Sequence, residues 1–110
     1  MSNGKKQGKK ERTFDKETNK ENSYFAGSVK SLGFNQKDQD VSVGVMLPGE
    51  YTFGTQAPER MTVVKGALVV KRVGESDWTT YQSGEFFEVE GNSSFELQVK
   101  EATAYLCEYF

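Results

Sequence analysis

From Tyr24 onward, short apolar or alternating runs are separated by turn chemistry. "YFAGSVKSLGF" gives way to the polar "NQKDQD", then to "VSVGVML", the turn "PGE" and "YTFGT". After "QAPER" come "MTVVK", a turn at Lys65–Gly66 and "ALVVKRV". "WTTY", "FFEV", "FELQVK" and "AYLCEYF" complete the series, divided by "GESD", "QSGE", "EGNSS" and "EAT". The runs are rich in Val, Phe, Tyr and Thr, which fit a pleated, half-buried surface. Turns recur about every 8–12 residues, the rhythm of an all-β sandwich or barrel. No window of about a dozen residues carries an apolar stripe of helical period. Pro48 and Pro58 both fall in turns, so the strands keep their donors. Gly27, Gly33, Gly44 and Gly54 lie within strand patterns and predict bulges or bends that curl the sheets. Trp78, just after a turn, predicts a hairpin anchor.

The first twenty-two residues break this pattern. They hold one large apolar residue after Met1, namely Phe14, and carry seven Lys/Arg against four Asp/Glu. Such a segment buries too little to offset its ordering entropy, which predicts a flexible tail over 1–22 and one domain over 23–110. A basic arm for nucleic acid is the alternative, but interspersed acids dilute its two Lys-Lys pairs. The remaining residues carry seven basic against twelve acidic side chains, a poor surface for nucleic acid. No run is long and apolar enough for a membrane span or a secretory signal. The single cysteine, Cys107, excludes an internal disulfide and fits a reducing compartment, hence a cytoplasmic protein.

"PGEYTFGTQAPERMTVVKG" carries the first chemical hint. Glu59 stands seven residues before the turn glycine Gly66, on strand-like sequence. That spacing resembles half of the first motif of cupins, small double-sheet jelly rolls, and implies that fold. The motif's histidine positions fall at Thr52 and Gly54, Phe53 and Thr55, or Thr55 and Ala57, depending on the count. The chain contains no histidine at all. In "GEFFEVEGNSSF" Gly84 fits the second motif, Glu90 replaces its proline, and Phe95 occupies the last ligand position. Zinc, iron and copper sites ordinarily combine imidazole or thiolate with carboxylate. No metal and no cofactor are therefore expected.

A closer resemblance covers residues 24–110. "YFAGSVKSLGF", "SVGVMLPGEYTFGT", "PERMTVVKGAL" and "SFELQV…AYLCEYF" together resemble the pyrimidine/purine nucleoside phosphorylase family of small bacterial cupins. The resemblance implies cleavage of purine and pyrimidine nucleosides by inorganic phosphate, giving free base and α-ribose 1-phosphate. That chemistry suits a pocket without histidine. Phosphate is already anionic, so the protein need only position it, hold the ribose and stabilise developing positive charge on the sugar. It also implies a homodimer, which would protect open sheet edges. A binding cupin without catalysis and a nucleoside hydrolase are the rivals.

Within this frame Glu59 is the expected catalytic residue, holding ribose hydroxyls and favouring a cationic sugar; otherwise it is an ion-paired loop carboxylate. Lys30, Arg60 and Thr52 are the candidates for phosphate, although a strand would point Arg60 opposite Glu59. Tyr51, Phe53, Thr55, Thr62, Gln98 and Tyr105 are the candidates for the nucleoside. An aromatic there can stack on any base, though core packing asks for the same residues. Cys107 reads as a small buried apolar residue.

Overall fold

The computed structural model describes residues 20–110. Ten strands follow in order: β1 (Lys20–Tyr24), β2 (Val29–Gln36), β3 (Gln39–Met46), β4 (Gly49–Gly54), β5 (Glu59–Lys65), β6 (Ala67–Arg72), β7 (Thr79–Gln82), β8 (Phe86–Val89), β9 (Ser94–Val99) and β10 (Thr103–Tyr109). A single 3-10 turn, Phe25–Gly27, links β1 to β2. A six-stranded sheet runs β1-β2-β3-β10-β5-β8, and a four-stranded sheet runs β4-β9-β6-β7. All pairings are antiparallel, so this is the expected all-β cupin-type sandwich. Among the described residues no helix is long and apolar enough to cross a membrane.

The strands form where the sequence alternates, because successive side chains point to opposite faces of a sheet. On β5, Glu59, Met61 and Val63 are buried while Arg60, Thr62 and Val64 face outward. On β9, Phe95, Leu97 and Val99 are buried in the same way. Met46, Leu68, Leu97, Val29, Val63 and Val70 fill the space between the sheets. The last strand, β10, lies between β3 and β5, so it is the middle of the larger sheet.

β1 takes in residues 20–22, which composition alone assigns to the tail: Lys20 pairs with Gly33, Glu21 with Leu32 and Asn22 with Ser31. Backbone pairing at an edge needs no apolar side chains, and polar residues suit an edge strand. The rest of the expected tail, 1–19, lies outside the described residues. Trp78 follows the β6–β7 turn as a hairpin residue, with the Lys71 ammonium 5.3 Å from its ring centroid.

Gly44 does not mark the bulge that its place in a strand suggested. Its pairing is regular, opposite Ser31 on one side and Tyr105 on the other. The irregularity lies between Ala104 and Tyr105, where β10 pairs with β5. Gly44 instead makes room: a Cβ there would lie 2.6 Å from both the Tyr105 hydroxyl and the Lys30 carbonyl. Gly66, by contrast, takes φ +108° in the β5–β6 turn, tight against Thr103.

Gly44→Ala is expected to lower stability by about 1–3 kcal/mol, since neither the Lys30 carbonyl nor a buried ring can yield freely. The check is the urea midpoint at unchanged m-value. An unaltered midpoint would show that Tyr105 does not rest on Gly44.

Candidate functional site

The register of the larger sheet assembles polar groups in its interior. One inward row runs Ser31, Gly44, Tyr105, Val63; the next runs Gly33, Ser42, Cys107, Met61, Phe87. Beside them Tyr109 pairs with Glu59, which pairs with Val89. These rows bring Ser31, Ser42, Glu59, Tyr105, Cys107 and Tyr109 onto one wall. Glu59 is only 5% exposed, an unusual position for a carboxylate. The Cys107 thiol donates to Glu59 Oε1 at 3.4 Å. Ser42 Oγ and Tyr109 Oη lie 3.0 Å apart. Burial pushes the Tyr105 phenol well above its usual range; Cys107, Tyr24 and Glu59 reinforce the shift, and a hydrogen bond with Ser31 opposes it.

The facing wall is aromatic. Phe53 stacks on Phe95 with centroids 5.8 Å apart, and Phe95 meets Phe87 edge-on at 5.8 Å. Tyr24, on edge strand β1, meets Phe53 edge-on at 6.0 Å. Tyr24 belongs to the larger sheet while its ring touches the smaller one, so it bridges the two sheets. Polar groups of the larger sheet therefore lie across the core from the Phe53 and Phe95 rings of the smaller one. Hydroxylated and aromatic surfaces set against each other in this way match a ligand with a hydroxylated part and a flat apolar part.

The expected site residues divide sharply. Glu59, Tyr51, Phe53, Thr55 and Tyr105 all face inward. Two of these already have structural tasks. The Tyr51 hydroxyl donates to the Leu47 carbonyl at 2.6 Å. Thr55 Oγ1 donates to the Glu90 carbonyl at 2.6 Å and accepts from the Ser93 amide at 3.0 Å. Arg60 and Thr62 lie on the outer face of the larger sheet, out of phase with Glu59. Arg60 binds Glu88 Oε2 through Nη2 at 2.7 Å and Nε at 3.0 Å, with its guanidinium 4.7 Å from the Phe86 centroid. Thr52 and Gln98 alternate with buried Tyr51, Leu97 and Val99 and so face outward from the smaller sheet. Strand periodicity is the physical reason these four do not join Glu59.

Lys30 is exposed on the outer side of β2, but its stem packs beside the Phe25–Gly27 turn: a Cβ on Gly27 would lie 3.8 Å from Lys30 Cε. Tyr24, Ser31, Ser42, Cys107 and Tyr109 escape a sequence reading as site residues, because pairing across three or four strands brings them together. Arg72 escapes it too. It follows inward-facing Val70 by two residues, and its side chain is engaged by the Glu88 carbonyl, Tyr81 and Glu75 at 2.8, 3.2 and 3.0 Å. The donor set does not fit the metal centre common in cupins. There is no histidine in the chain, and among the described residues no three Cys, Asp or Glu side chains converge.

Known proteins share this chain's sequence and fold. The sequence model of the family described as pyrimidine/purine nucleoside phosphorylase matches residues 19–109. A pyrimidine/purine nucleoside phosphorylase of Vibrio parahaemolyticus is 91% identical over 90 residues, covering 82% of this chain and 96% of that protein. A crystal structure of a protein of unknown function from the same species superposes with TM-score 0.83 at 88% identity, covering 84% of this chain and 99% of that one. A proposed ethanolamine utilization protein of Salmonella typhimurium shares the fold at TM-score 0.65 and 17% identity, covering 78% of this chain and 75% of that one.

The raised Tyr105 pKa fixes the sign of an alkaline effect. The native state keeps this proton where the unfolded chain has released it. Its stabilisation is therefore full below about pH 10, the unfolded value, and is lost as pH rises toward the higher folded value. Tyr105→Phe should flatten the alkaline fall in unfolding free energy by up to about 1.4 kcal/mol per pH unit. Parallel curves for parent and variant in alkaline urea titrations would contradict the burial of this phenol.

Proposed function

Because the chain belongs to the pyrimidine/purine nucleoside phosphorylase family, we propose that it transfers the pentosyl group of purine and pyrimidine nucleosides to inorganic phosphate, without a metal. A phosphate oxygen forms a bond to C1′ as the C1′–N bond breaks. The base departs with the electron pair and takes up a proton, leaving α-ribose 1-phosphate. The observation that carries this reading is buried Glu59, set in a wall of hydroxyls opposite aromatic rings.

Glu59 acts on the sugar: its charge favours the oxocarbenium-like transition state and its oxygens accept from ribose hydroxyls. Tyr24, Ser31, Ser42, Tyr105 and Tyr109 supply neutral hydroxyls for the ribose and phosphate oxygens. Phe53, backed by Phe95, offers a surface for the base. Since every base has a π-face, that surface tolerates purines and pyrimidines alike. Of the three residues expected to hold phosphate, Lys30 keeps that role: it faces outward like Arg60, but its long stem runs beside the Phe25–Gly27 turn at the edge of the sandwich. The absence of histidine supports metal-free chemistry on the donor set alone.

The protein acts in the cytoplasm as a homodimer, and the outer face of the larger sheet is the surface best suited to a second copy. Leu32, Val43, Leu106, Thr62 and Phe86 form one row across five strands, and Leu32, Val43 and Phe86 are 43%, 41% and 51% exposed. Val45 and Val64 extend the same apolar face. Sedimentation at micromolar concentration should give a dimer; a monomer would refute this part.

The reaction itself is tested with uridine and adenosine, with and without phosphate, before and after exhaustive chelation. Free base and ribose 1-phosphate should appear only with phosphate and survive chelation. Base release without phosphate would make the protein a hydrolase, and no release would leave a binding protein. Glu59→Gln should lower kcat about a hundredfold with KM little changed, equivalent to roughly 3 kcal/mol of transition-state stabilisation. Turnover within threefold of the parent would remove Glu59 from the mechanism.

A further inference from the structure

Three consecutive residues between β1 and β2 have positive φ: Phe25 at 52°, Ala26 at 56° and Gly27 at 91°. Glycine takes this region freely, but a bulky side chain is held there only by its surroundings. Strain of this kind marks a segment whose position matters more than its local preference.

The turn stands at the edge where β1 and β4 face each other, the outermost strands on one side of the sandwich. The Phe25 ring reaches over β4, 4.9 Å from the Tyr51 centroid and edge-on to Phe53 at 5.4 Å. Yet Phe25 is 45% exposed, whereas Phe95, a ring that serves the core, is 2% exposed. Packing alone does not account for an aromatic held at left-handed φ and left half in solvent. Its neighbour Tyr24 goes deeper, half-buried against Phe53. One turn thus sets two adjacent rings at two depths.

We infer that Phe25 is a base-selecting residue, whose solvent-exposed ring stacks on the nucleobase with the base edge toward Phe53, while the ribose extends inward past Tyr24 toward Tyr105 and Glu59. This deepens the nucleoside reading of the pocket and rests on it. The left-handed turn holds the ring over the base position at the cost of local strain. Stacking on a ring is tolerant of base identity but grows with overlap, so purines depend on Phe25 more than pyrimidines.

The test is calorimetric binding of adenosine and uridine without phosphate, alongside steady-state kinetics, for Phe25→Leu and Phe25→Tyr. Phe25→Leu keeps apolar bulk and loses the π-face. It should weaken nucleoside binding about tenfold, more for adenosine than for uridine. The KM for phosphate and the melting temperature should stay close to the parent values. Phe25→Tyr should restore binding to within about threefold. Unchanged nucleoside affinity in Phe25→Leu would overturn the inference. So would a uniform loss for nucleosides and phosphate together with a fall in melting temperature, the signature of a merely structural ring. A parent that binds nucleosides but does not split them with phosphate would refute the reaction and leave the stacking role standing. A parent that binds neither nucleoside would overturn the stacking role itself.

Discussion

A carboxylate held inside a β-sandwich sets the terms for everything around it. Moving a charged group out of water is costly unless other polar groups replace its hydration. Glu59 sits at the start of β5, between Tyr109 of β10 and Val89 of β8, and takes a hydrogen bond from Cys107. The neighbouring inward rows carry Ser31, Ser42 and Tyr105, where an ordinary core would have Val or Leu. This polar layer exists only if β10 is inserted between β3 and β5 in one register. A slip of one residue would turn Tyr105 and Cys107 to solvent and bring Leu106 inward. Gly44 serves the same arrangement, because no other residue leaves space for the Tyr105 ring.

The division of faces also explains how one small sandwich separates its tasks. The inner face of the larger sheet is polar in its middle, and its outer face is apolar across Leu32, Val43, Leu106 and Phe86. On the proposed function, the inner face gives up core stability to form a reaction chamber, and a second copy covers the outer face. Arg60, locked to Glu88 and lying against Phe86, belongs to the outer surface and its contacts.

Much of the fold was legible in the sequence because period-two alternation and turn residues are local signals. β5 and β9 follow their alternation residue by residue, and the facing of Tyr51 and Phe53 follows from the same period. The burial of Glu59 was not local information, since an isolated glutamate before a strand reads equally well as a loop ion pair. Arg60, Thr62, Thr52 and Gln98 were plausible by residue type, yet they fall out of phase with the inward positions of their strands. Residues 20–22 looked like tail because composition registers side chains, whereas an edge strand is held by backbone pairing. Ser42 and Tyr109 were invisible for a different reason: only the strand order β3-β10-β5 brings them toward Glu59.

Nucleoside chemistry between the two sheets, against Glu59, is the centre of the proposed function. A crystal structure of the protein soaked with ribose 1-phosphate and a nucleobase locates that chemistry without reference to rates. The sugar should lie between the sheets, with a ribose hydroxyl within hydrogen-bond distance of the Glu59 carboxylate and the base against Phe53. Sugar and base bound instead on an outer face, beside Arg60 and Thr62 or beside Thr52 and Gln98, would contradict it.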